Sequence, residues 1–387
     1  MVETAQGGGA EGVPEGLLDA LSPAELAGQL LVVGFDGTEL PTELCALLRA
    51  GERAGVILFR RNLTPELAGL QQLQRICGEM GALTPAELPP LISIDEEGGR
   101  VARLQPPALR LPPMRRIAGL GDRALLERVG AVVGAELACL GLTMNFAPVV
   151  DVDTNPANPV IGDRAFSRDP VEVSECAAAY LRGLRAGGVQ SCLKHFPGHG
   201  DTLLDSHLAL PTVAHARERL EAVELLPFRR LAPLADSMMT AHVVYPALDP
   251  GCAATLSPRI AGDLLRRELG FEGVLFSDDL EMQALAGHAA PEESAPIALL
   301  AGCDLLLVCS RAEAAGRVHL ALRTRIQRDP AFRARCLEAA RRSLALRRRC
   351  RPRPGTPAAL EALLRGEVAS LQAELAERLG LPALTAS

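Results

Sequence analysis

The sequence contains no tryptophan, and with two tyrosines and nine phenylalanines its aromatic share is only 3% of 387 residues. So few rings leave little opportunity for a ligand to stack on an aromatic side chain. We therefore expect hydrogen bonds to dominate the recognition of any small molecule.

Long apolar segments and an excess of positive charge are also missing. No apolar run approaches the roughly 18 residues of a membrane-spanning helix. The formal net charge of −7 at pH 7 argues against binding to nucleic acid or to an anionic membrane surface. Residues 1–16 are acidic and rich in glycine, without the basic start and apolar core of a secretory signal. These features predict a cytoplasmic protein whose partner is a small neutral or anionic molecule.

Cysteine is present, but its spacing lacks the pairs that mark metal sites and redox motifs. The ten cysteines are scattered without a CxxC pair, and some, such as Cys192 and Cys309, lie within apolar runs. In a chain of this size such residues behave as small buried hydrophobes. The pattern predicts free thiols in a reducing compartment.

Lysine is almost absent. Of the 40 basic residues only Lys194 is a lysine, which leaves 39 arginines. An ammonium group is a compact donor of three hydrogen bonds, whereas a guanidinium group is a wide planar fork. The one position at which arginine is not used is therefore a candidate site residue.

The sequence does contain a regular succession of short apolar runs, with helical patterns between most of them. Eight such runs favour an α/β fold of the (β/α)8 TIM type, irregular in places. An open doubly wound sheet would alternate in the same way, but no GxGxxG turn follows the first run. Two helices are predicted to begin at Ser22-Pro23 and Thr64-Pro65, where a capping side chain precedes a first-turn proline. The predicted strands are residues 30–35, 55–59, 91–95, 143–147, 189–195, 237–242, 273–278 and 304–309.

One main domain is expected for a chain of 387 residues that is 48% hydrophobic. Residues 1–20 are predicted to form a flexible N-terminal extension, and residues 21–350 the barrel. Residues 351–357 have the composition of a linker, and residues 358–379 have the leucine spacing of an amphipathic helix. We expect residues 351–387, with this linker and helix, either to pack outside the barrel or to mediate self-association, so that the protein is a monomer or a homodimer.

Reactive polar residues gather where the predicted strands end. Because the C-terminal ends of parallel strands line one mouth of a barrel, polar groups there indicate a functional site. The residues concerned are Asp95, Asn145, Lys194, His195, His242 and Asp278.

The densest group of reactive side chains follows the fifth predicted strand. Residues 194–207 read KHFPGHGDTLLDSH and contain three of the seven histidines. The proline and glycines of this stretch exclude a regular helix, so it is predicted to be a loop. Asp205 and His207 are spaced to form a carboxylate–imidazole pair in such a loop. A carboxylate partner raises the basicity of an imidazole, which suits a proton shuttle near neutral pH.

A metal site is the rival interpretation of this loop. An HxxxH motif requires a helix, which the proline and glycine between the first two histidines exclude, and the spacing matches no other zinc motif. We therefore expect no metal ion. The side chains with ligand chemistry are His195, His199, Asp201, Asp205 and His207.

Two further strand ends present acids. The apolar run at residues 273–280 includes Asp278 and Asp279, and a carboxylate there can act as a base, a metal ligand or a nucleophile on an anomeric carbon. One of the two should point into the mouth and the other away, and Asp279 has the alternative role of a helix N-cap. The run at residues 92–103 includes Asp95, which can accept hydrogen bonds from two sugar hydroxyls, and a glycine pair that permits a tight turn.

Together these motifs resemble those of glycoside hydrolase family 3, and specifically its single-domain β-N-acetylglucosaminidases of the NagZ type. The resemblance covers roughly residues 20–310 and is most specific in KHFPGHGDT followed by DSH. In that branch the last histidine is the general acid/base and the aspartate before it orients it, which implies these roles for His207 and Asp205. The family's nucleophile directly follows a serine or threonine, which implies Asp278.

The resemblance also implies a set of sugar-binding residues. Two positions depart from the family pattern, since Glu96 stands where relatives commonly have glutamine and Glu281 where many have a small residue. Neither departure touches the implied chemistry. The implied sugar-binding residues are Asp95, Arg103, Arg164, Lys194 and His195.

The activity implied by the resemblance is hydrolysis of a terminal, non-reducing β-linked GlcNAc with retention of configuration, through a glycosyl-aspartate intermediate. The implied substrates are peptidoglycan fragments in which GlcNAc is joined to anhydro-muramic acid, and no cofactor is required. Three alternatives stay open. A phosphorylase is one, because a histidine acid is neutral once it has given up its proton and does not repel phosphate. The others are a metal-dependent barrel hydrolase and an inactive sugar-binding barrel.

Overall fold

The structure is a computed structural model, and it describes residues 12–14, 16–206, 210–287 and 289–382. The strands of this part of the chain are β1 (Leu31–Val33), β2 (Gly55–Leu58), β3 (Leu91–Ile94), β4 (Met144–Asn145), β5 (Gln190–Phe196), β6 (Ser237–Thr240), β7 (Val244–Tyr245), β8 (Asp249–Ala253), β9 (Val274–Asp279) and β10 (Leu305–Val308). Eight of them close a parallel barrel in the order β1-β10-β9-β6-β5-β4-β3-β2. The predicted (β/α)8 barrel is thereby confirmed.

Helices surround this barrel on its outside. They are α1 (Pro23–Gly28), α2 (Thr42–Arg49), α3 (Glu66–Leu83), α4 (Met114–Ala118), α5 (Arg123–Leu140), α6 (Pro170–Gly187), α7 (Arg217–Ala222), α8 (Leu226–Leu231), α9 (Gln283–Ala286), α10 (Pro291–Ala301), α11 (Ala312–Arg328), α12 (Pro330–Arg349), α13 (Pro357–Leu363) and α14 (Ala369–Leu379). Two segments, Pro258–Glu268 and Leu364–Val368, are π-helical.

All eight predicted strands correspond to barrel strands, with ends that differ by at most two residues. The antiparallel hairpin of β7 and β8 was not predicted. The first of these strands has only two residues, and the second reads DPGCA, a composition typical of a turn. The strand β7 also pairs with the incoming chain at Thr212, a long-range contact that the local pattern does not reveal.

The two predicted helix starts had different outcomes. At α1 the Ser22 hydroxyl accepts a hydrogen bond from the Glu25 N–H, and the Glu25 carboxylate accepts one from the Ser22 N–H, which completes a capping box. The prediction that Thr64 caps the next helix was wrong. The helix α3 begins at Glu66 without a side-chain cap, and the Thr64 backbone N–H instead donates to Gln72 Oε1.

The barrel interior is filled by side chains from alternating strand positions. Phe146 and Phe276 meet edge to face with ring centroids 5.1 Å apart, and Met144, Met239 and Leu305 belong to the same cluster. An aromatic pair of this kind adds packing energy beyond the area that it buries. The interior is therefore a packed core, open only at the mouth.

The opposite end of the barrel is closed by Arg347 of α12. This arginine is only 1% exposed, and its guanidinium donates to Gln29 Oε1, Ala54 O and Pro89 O. A buried guanidinium is tolerated when its donors find acceptors. The Arg-rich helix α12 thus contributes one of its arginines to the core rather than to solvent.

The C-terminal helices pack against the outside of the barrel. Gln372 exchanges two hydrogen bonds with the backbone of Arg110, and Arg378 of α14 pairs with Asp122 at 2.8 Å. The first of the two expected roles, packing outside the barrel, is therefore observed. The predicted N-terminal extension lies mostly outside the described residues, although Leu18 is buried in the core.

The ten cysteines, all within the described residues, are free thiols, and seven of them are buried. In the described part of the chain, no helix has the length and apolar character needed to cross a membrane.

A buried carboxyl behind β3 makes the stability of this fold depend on pH. Glu136 of α5 is 2% exposed and accepts a hydrogen bond from the Leu109 N–H at 3.1 Å. Burial raises the pKa of this carboxyl from 4.5 to about 8, and Glu96 contributes to the rise. Between these two pKa values the folded chain holds a proton that the unfolded chain has released. The contribution of Glu136 to stability is therefore fully present below about pH 4.5 and is lost as pH rises toward 8.

Glu136→Gln is expected to stabilise the protein at high pH. The amide keeps an acceptor for the Leu109 N–H and does not ionise. Near pH 9 the free energy of unfolding should exceed that of the wild type by on the order of 3 kcal/mol, with little difference near pH 5. Thermal unfolding across this range would measure the effect. Glu367→Gln, at an exposed position, is the matched control, and parallel curves for wild type and Glu136→Gln would contradict the expectation.

Candidate active site

A cavity of about 270 Å³ opens at the C-terminal ends of the barrel strands. The mouth that the sequence indicated is therefore the site of the cavity. Among the residues that line it are six predicted site residues, namely Asp95, Arg103, Arg164, Lys194, His195 and Asp278.

Five charged side chains on one side of this cavity form a continuous chain of ion pairs, here called the charge network. Arg103 Nη2 contacts Asp95 Oδ2 at 3.0 Å, and Lys194 Nζ contacts Asp95 Oδ1 at 2.8 Å. The same ammonium lies 2.6 Å from Glu97 Oε1. Arg164 then donates from Nε and Nη2 to the two oxygens of Glu97, both at 2.8 Å. Cations and anions alternate along the network, so each buried charge has an opposite charge beside it.

The charge network keeps its members ionised. Burial by itself would raise the pKa of Asp95 and Glu97, but Lys194 and the adjoining guanidinium groups outweigh it, and both pKa values lie below the usual range. Burial would likewise lower the pKa of Lys194, yet Asp95 and Glu97 raise it. Fixed charges of this kind present donors and acceptors to a ligand without reorganisation on binding.

Sequence reasoning did not single out Glu97, which is 4% exposed and joins Lys194 to Arg164. The only sequence signal was its place in the acid cluster after β3, from which Asp95 was chosen. The turn separates the three acids. Gly98 and Gly99 have positive φ angles of 101° and 57°, and the chain then folds back so that Glu96 Oε2 accepts the backbone N–H of Arg103.

His195 is held by an aspartate that sequence reasoning also missed. Asp151 is fully buried, and its Oδ2 lies 2.7 Å from His195 Nδ1. Burial would raise the pKa of Asp151, but His195 and His199 hold it below its usual range. An ionised carboxylate accepts, so Nδ1 of His195 carries the proton and donates. The signal that could have found Asp151 was its position at the end of the apolar run that follows β4.

The loop after β5 lies tightly against the chain that follows β4. A Cβ at Gly200 would come within 1.7 Å of the Val152 carbonyl oxygen, so only glycine fits at this position. His199 Nε2 lies 2.9 Å from Ser206 Oγ, and Ser206 lines the cavity. Burial, together with His195, lowers the pKa of His199 to about 4, so its ring is neutral near pH 7.

The predicted acid/base pair is only partly within the described residues. Asp205 is half-buried on this loop, next to Ser206 of the cavity wall. His207 lies outside the described residues. The roles of both residues stay predictions.

The two acids that end β9 both line the cavity, whereas the sequence analysis expected one to point away. Asp278 Oδ1 accepts the Asp279 backbone N–H at 2.8 Å. Asp279 does not cap a helix, which corrects the second expectation. Its Oδ1 instead accepts the backbone N–H groups of Glu281 and Cys309, and thereby joins β9 to the end of β10. Burial raises the pKa of Asp279 to about 7, and the nearby acids Glu281 and Asp278 add to the rise.

The two other polar residues at strand ends, Asn145 and His242, do not line the cavity and instead form hydrogen bonds to backbone groups. Asn145 accepts the N–H of Glu96 and donates to its carbonyl, both at 2.9 Å. His242 Nε2 lies 2.9 Å from the backbone oxygen of Asp279, and its Nδ1 lies 2.7 Å from Thr255 Oγ1. His242 thereby holds the backbone of Asp279, which lines the cavity, and Asn145 holds that of Glu96, between the cavity residues Asp95 and Glu97. Among the described residues, no group of three or more His, Cys, Asp or Glu side chains is arranged to hold a metal ion.

Comparisons with known proteins agree with this geometry. Residues 24–329 match the family described as the glycosyl hydrolase family 3 N terminal domain. A beta-hexosaminidase of Pseudomonas aeruginosa is 40% identical over 303 residues, which are 78% of this chain and 88% of that protein. One from Chromobacterium violaceum is 43% identical over 275 residues, which are 69% of this chain and 75% of that protein.

Solved structures show the same relationship. A family 3 β-N-acetylglucosaminidase from Paenibacillus sp. FPU-7 superposes with a TM-score of 0.83 at 37% identity, over 91% of this chain and 68% of that one. NagZ from Neisseria gonorrhoeae, in complex with N-trifluoroacetyl-D-glucosamine, has a TM-score of 0.75 at 33% identity, over 92% and 98% of the two chains. The family match, the relatives and the shared barrel together show that this protein is a glycoside hydrolase and belongs to glycoside hydrolase family 3.

Proposed function

We propose that this chain is a retaining exo-β-N-acetylglucosaminidase that removes terminal, non-reducing β-linked GlcNAc. The observation that carries the proposal is that Asp278 lines the same cavity as the charge network and His195. The Asp278 carboxylate therefore lies at the cavity in which the charge network would bind a sugar. The relatives named beta-hexosaminidases, and the family structure that holds N-trifluoroacetyl-D-glucosamine, support an N-acylated hexosamine as that sugar.

The size and chemistry of the cavity support recognition of one sugar ring. Its volume of about 270 Å³ is just below the range of about 300 to 1,000 Å³ that is common for pockets of drug-sized ligands. Asp95 presents carboxylate oxygens to hydroxyl groups, while Lys194, Arg164 and His195 offer donors. A single enclosed ring accords with release of a terminal residue rather than cleavage within a chain.

In the proposed mechanism Asp278 attacks the anomeric carbon as the glycosidic bond breaks. His207, oriented by Asp205, gives a proton to the departing oxygen, and a glycosyl-aspartate ester forms. His207, now neutral, then takes a proton from water as the water oxygen attacks the same carbon and displaces the Asp278 carboxylate. Two inversions retain the configuration. In the second step His207 thus regains a proton in place of the one that it gave up in the first.

For the natural substrate we propose peptidoglycan fragments in which GlcNAc is joined to anhydro-muramic acid, so that the enzyme acts in cell-wall recycling. The proposal rests on the similarity of the loop at residues 194–207 to that of the single-domain β-N-acetylglucosaminidases. A cytoplasmic location accords with ten free cysteines, because thiols stay reduced there. We further propose that the protein is a monomer or a homodimer.

The proposed activity is tested by release of a fluorophore from its β-N-acetylglucosaminide beside the matching β-glucoside, near neutral pH. We expect cleavage of the acetylated sugar to exceed that of the glucoside by at least about 100-fold, since a missing polar group leaves buried site groups unpaired. Nuclear magnetic resonance of the first-formed product should show the β-anomer. Equal rates for the two sugars would contradict the proposed specificity.

The same assay separates the alternatives. Formation of GlcNAc-1-phosphate in the presence of phosphate would show a phosphorylase. Loss of activity with a chelator, and its return with added metal, would show a metal-dependent hydrolase. Binding of GlcNAc without turnover of any glycoside, with or without phosphate, would show a sugar-binding barrel.

A further inference from the structure

The loop that carries Asp205 and the predicted acid/base His207 is closed at its base by a contact between two other residues. Asp201 Oδ2 meets His215 Nε2, and these residues stand on the outgoing and returning sides of the loop. The pair is here called the loop tether. It brings together two points of the chain that are separated by residues 202–214. Neither residue lines the cavity.

Both sides of the loop are also attached to β7. On the outgoing side, the Tyr245 hydroxyl donates to the backbone oxygen of Gly198. On the returning side, the Val213 N–H donates to the Val244 oxygen, and the Val244 N–H donates to the Pro211 oxygen, both at 2.9 Å. The hairpin thus holds the chain on both sides of the loop. On the outgoing side Asp201 of the tether lies between the contact at Gly198 and Asp205, and on the returning side His215 follows the contacts at Pro211 and Val213.

The tether has a charged environment of its own. Its side chains are partly accessible, 21% for Asp201 and 34% for His215. Glu224, only 1% exposed, pairs with Arg219 at 3.2 Å, and its carboxyl interacts electrostatically with both His215 and Asp201. A Cβ at Gly198 would come within 2.9 Å of the Glu224 side chain, so the loop base packs directly on this cluster.

We propose that the Asp201–His215 pair is a positioning pair, which holds the loop so that the acid/base group reaches the departing oxygen of the substrate. The inference rests on the proposed function, because it assigns the pair an effect on one half-reaction of that mechanism. Closing a loop at its base reduces the number of conformations open to the residues within it. The histidine acts through the loop and touches no substrate.

The proposal predicts a dependence on the leaving group. A dinitrophenolate ion departs without a proton, whereas an alkoxide needs one from the general acid. The ratio kcat/KM reports the steps up to the first irreversible one, here formation of the glycosyl-enzyme. General acid catalysis contributes about 10²- to 10⁴-fold, and a misplaced acid loses part of that factor.

We would therefore measure kcat/KM of His215→Ala on a dinitrophenyl and an alkyl β-N-acetylglucosaminide. We expect about a tenfold loss on the alkyl glycoside and less than about a twofold loss on the dinitrophenyl glycoside. His215→Gln, which can still donate to Asp201, should recover the alkyl rate to within about threefold of wild type. Asp201→Asn combined with His215→Ala should be no worse than His215→Ala alone, because both changes break one interaction.

His319→Ala is the matched control. This histidine is also partly buried, but it contacts the Ala24 carbonyl and Glu52, away from the loop. It should leave both rates within about twofold of wild type. Equal losses of His215→Ala on the two glycosides would overturn the proposal in favour of a general structural role, as would fully additive losses in the double variant.

A second measurement keeps this inference separate from the proposed function. If the wild type cleaves neither glycoside, the proposed function fails. Amide hydrogen exchange within residues 202–214 still tests the tether. If the pair restrains the loop, His215→Ala should speed exchange in this segment at least about fivefold. Unchanged exchange in this segment would overturn the proposal whatever the activity.

Discussion

Asp278→Ala is expected to lower kcat on a β-N-acetylglucosaminide by at least about 10⁴-fold, the scale of loss seen when a nucleophile is removed. The residue ends β9 at the cavity, and its main chain is fixed by strand pairing on both sides. No other group would then form the glycosyl ester. Added azide should restore turnover in the variant and yield the α-glycosyl azide, because a small anion can enter the space of the lost carboxylate.

Asp279→Asn provides the matched control for this prediction. The neighbouring acid accepts the backbone N–H groups of Glu281 and Cys309 through Oδ1, and an amide oxygen can do the same. We expect less than about a tenfold loss of kcat from this variant. Mass spectrometry of wild type stopped during turnover of a slow fluorinated substrate should find the sugar on Asp278. If Asp279→Asn lowered kcat as much as Asp278→Ala does, or if the sugar were found on Asp279, then Asp279 and not Asp278 would be the nucleophile.

Lys194→Met is expected to lower kcat/KM by about 10²- to 10³-fold and also to destabilise the fold. The ammonium group is 3% exposed and stands between Asp95 and Glu97, so its loss leaves two carboxylates facing each other in a buried site. Removing one partner of a buried ion pair costs about 3–5 kcal/mol. Arg103 and Arg164 still hold the outer ends of the network, so we expect a folded protein with a lower Tm. Steady-state kinetics together with thermal unfolding would measure both effects.

Lys194→Arg tests whether charge alone is sufficient. A guanidinium group is too wide for a site in which the acceptors lie 2.6 and 2.8 Å from one nitrogen, so we expect at least about a tenfold loss of kcat/KM with the charge retained. Arg365→Lys, on an exposed helical surface, is the control for exchanging arginine and lysine away from the site, and it should change neither activity nor Tm. Activity of Lys194→Met within threefold of wild type would show that the lysine is not needed for the sugar site.

These two predictions concern residues that were identified from sequence, and the reasons differ. A carboxylate at this strand end was found because an apolar strand ended in two aspartates at a barrel mouth, a pattern that depends only on neighbouring residues, and the family resemblance then implied Asp278. Lys194 was found because the chain otherwise uses arginine. The eight strands were likewise predicted to within a few residues, since each is a short apolar run bounded by polar or turn residues.

Other parts of the site could not be predicted, because their roles arise from contacts between distant segments. Glu97 pairs with Arg164, 67 positions away, and also with Lys194, while Asp151 contacts His195 across 44 positions. Nothing in the local pattern separates Glu97 from Glu96 beside it. The β7–β8 hairpin was missed because its first strand has only two residues, too few to show a period.

The wrong predictions have a related cause. Asp279 was assigned a helix cap from its place after a strand, but it accepts the backbone of Cys309 on the neighbouring strand. Thr64 has the sequence of a capping residue, yet the chain enters α3 at Glu66 with a positive φ of 66° and leaves the hydroxyl outside the cap. At both positions the direction of the preceding backbone determines which backbone N–H group the side chain can reach.

The sequence by itself determined the strand–helix alternation, the strands that close the barrel and the strand ends at which reactive residues lie. These follow from apolar periodicity and from the chemistry of single residues, which act over a few positions. Only the tertiary structure decided which acid of each cluster joins which base, because pairing depends on closure of the barrel and on the turns at Gly98, Gly99 and Gly200. Opposite charges that are far apart in sequence are ionised together because the fold buries them within hydrogen-bond distance.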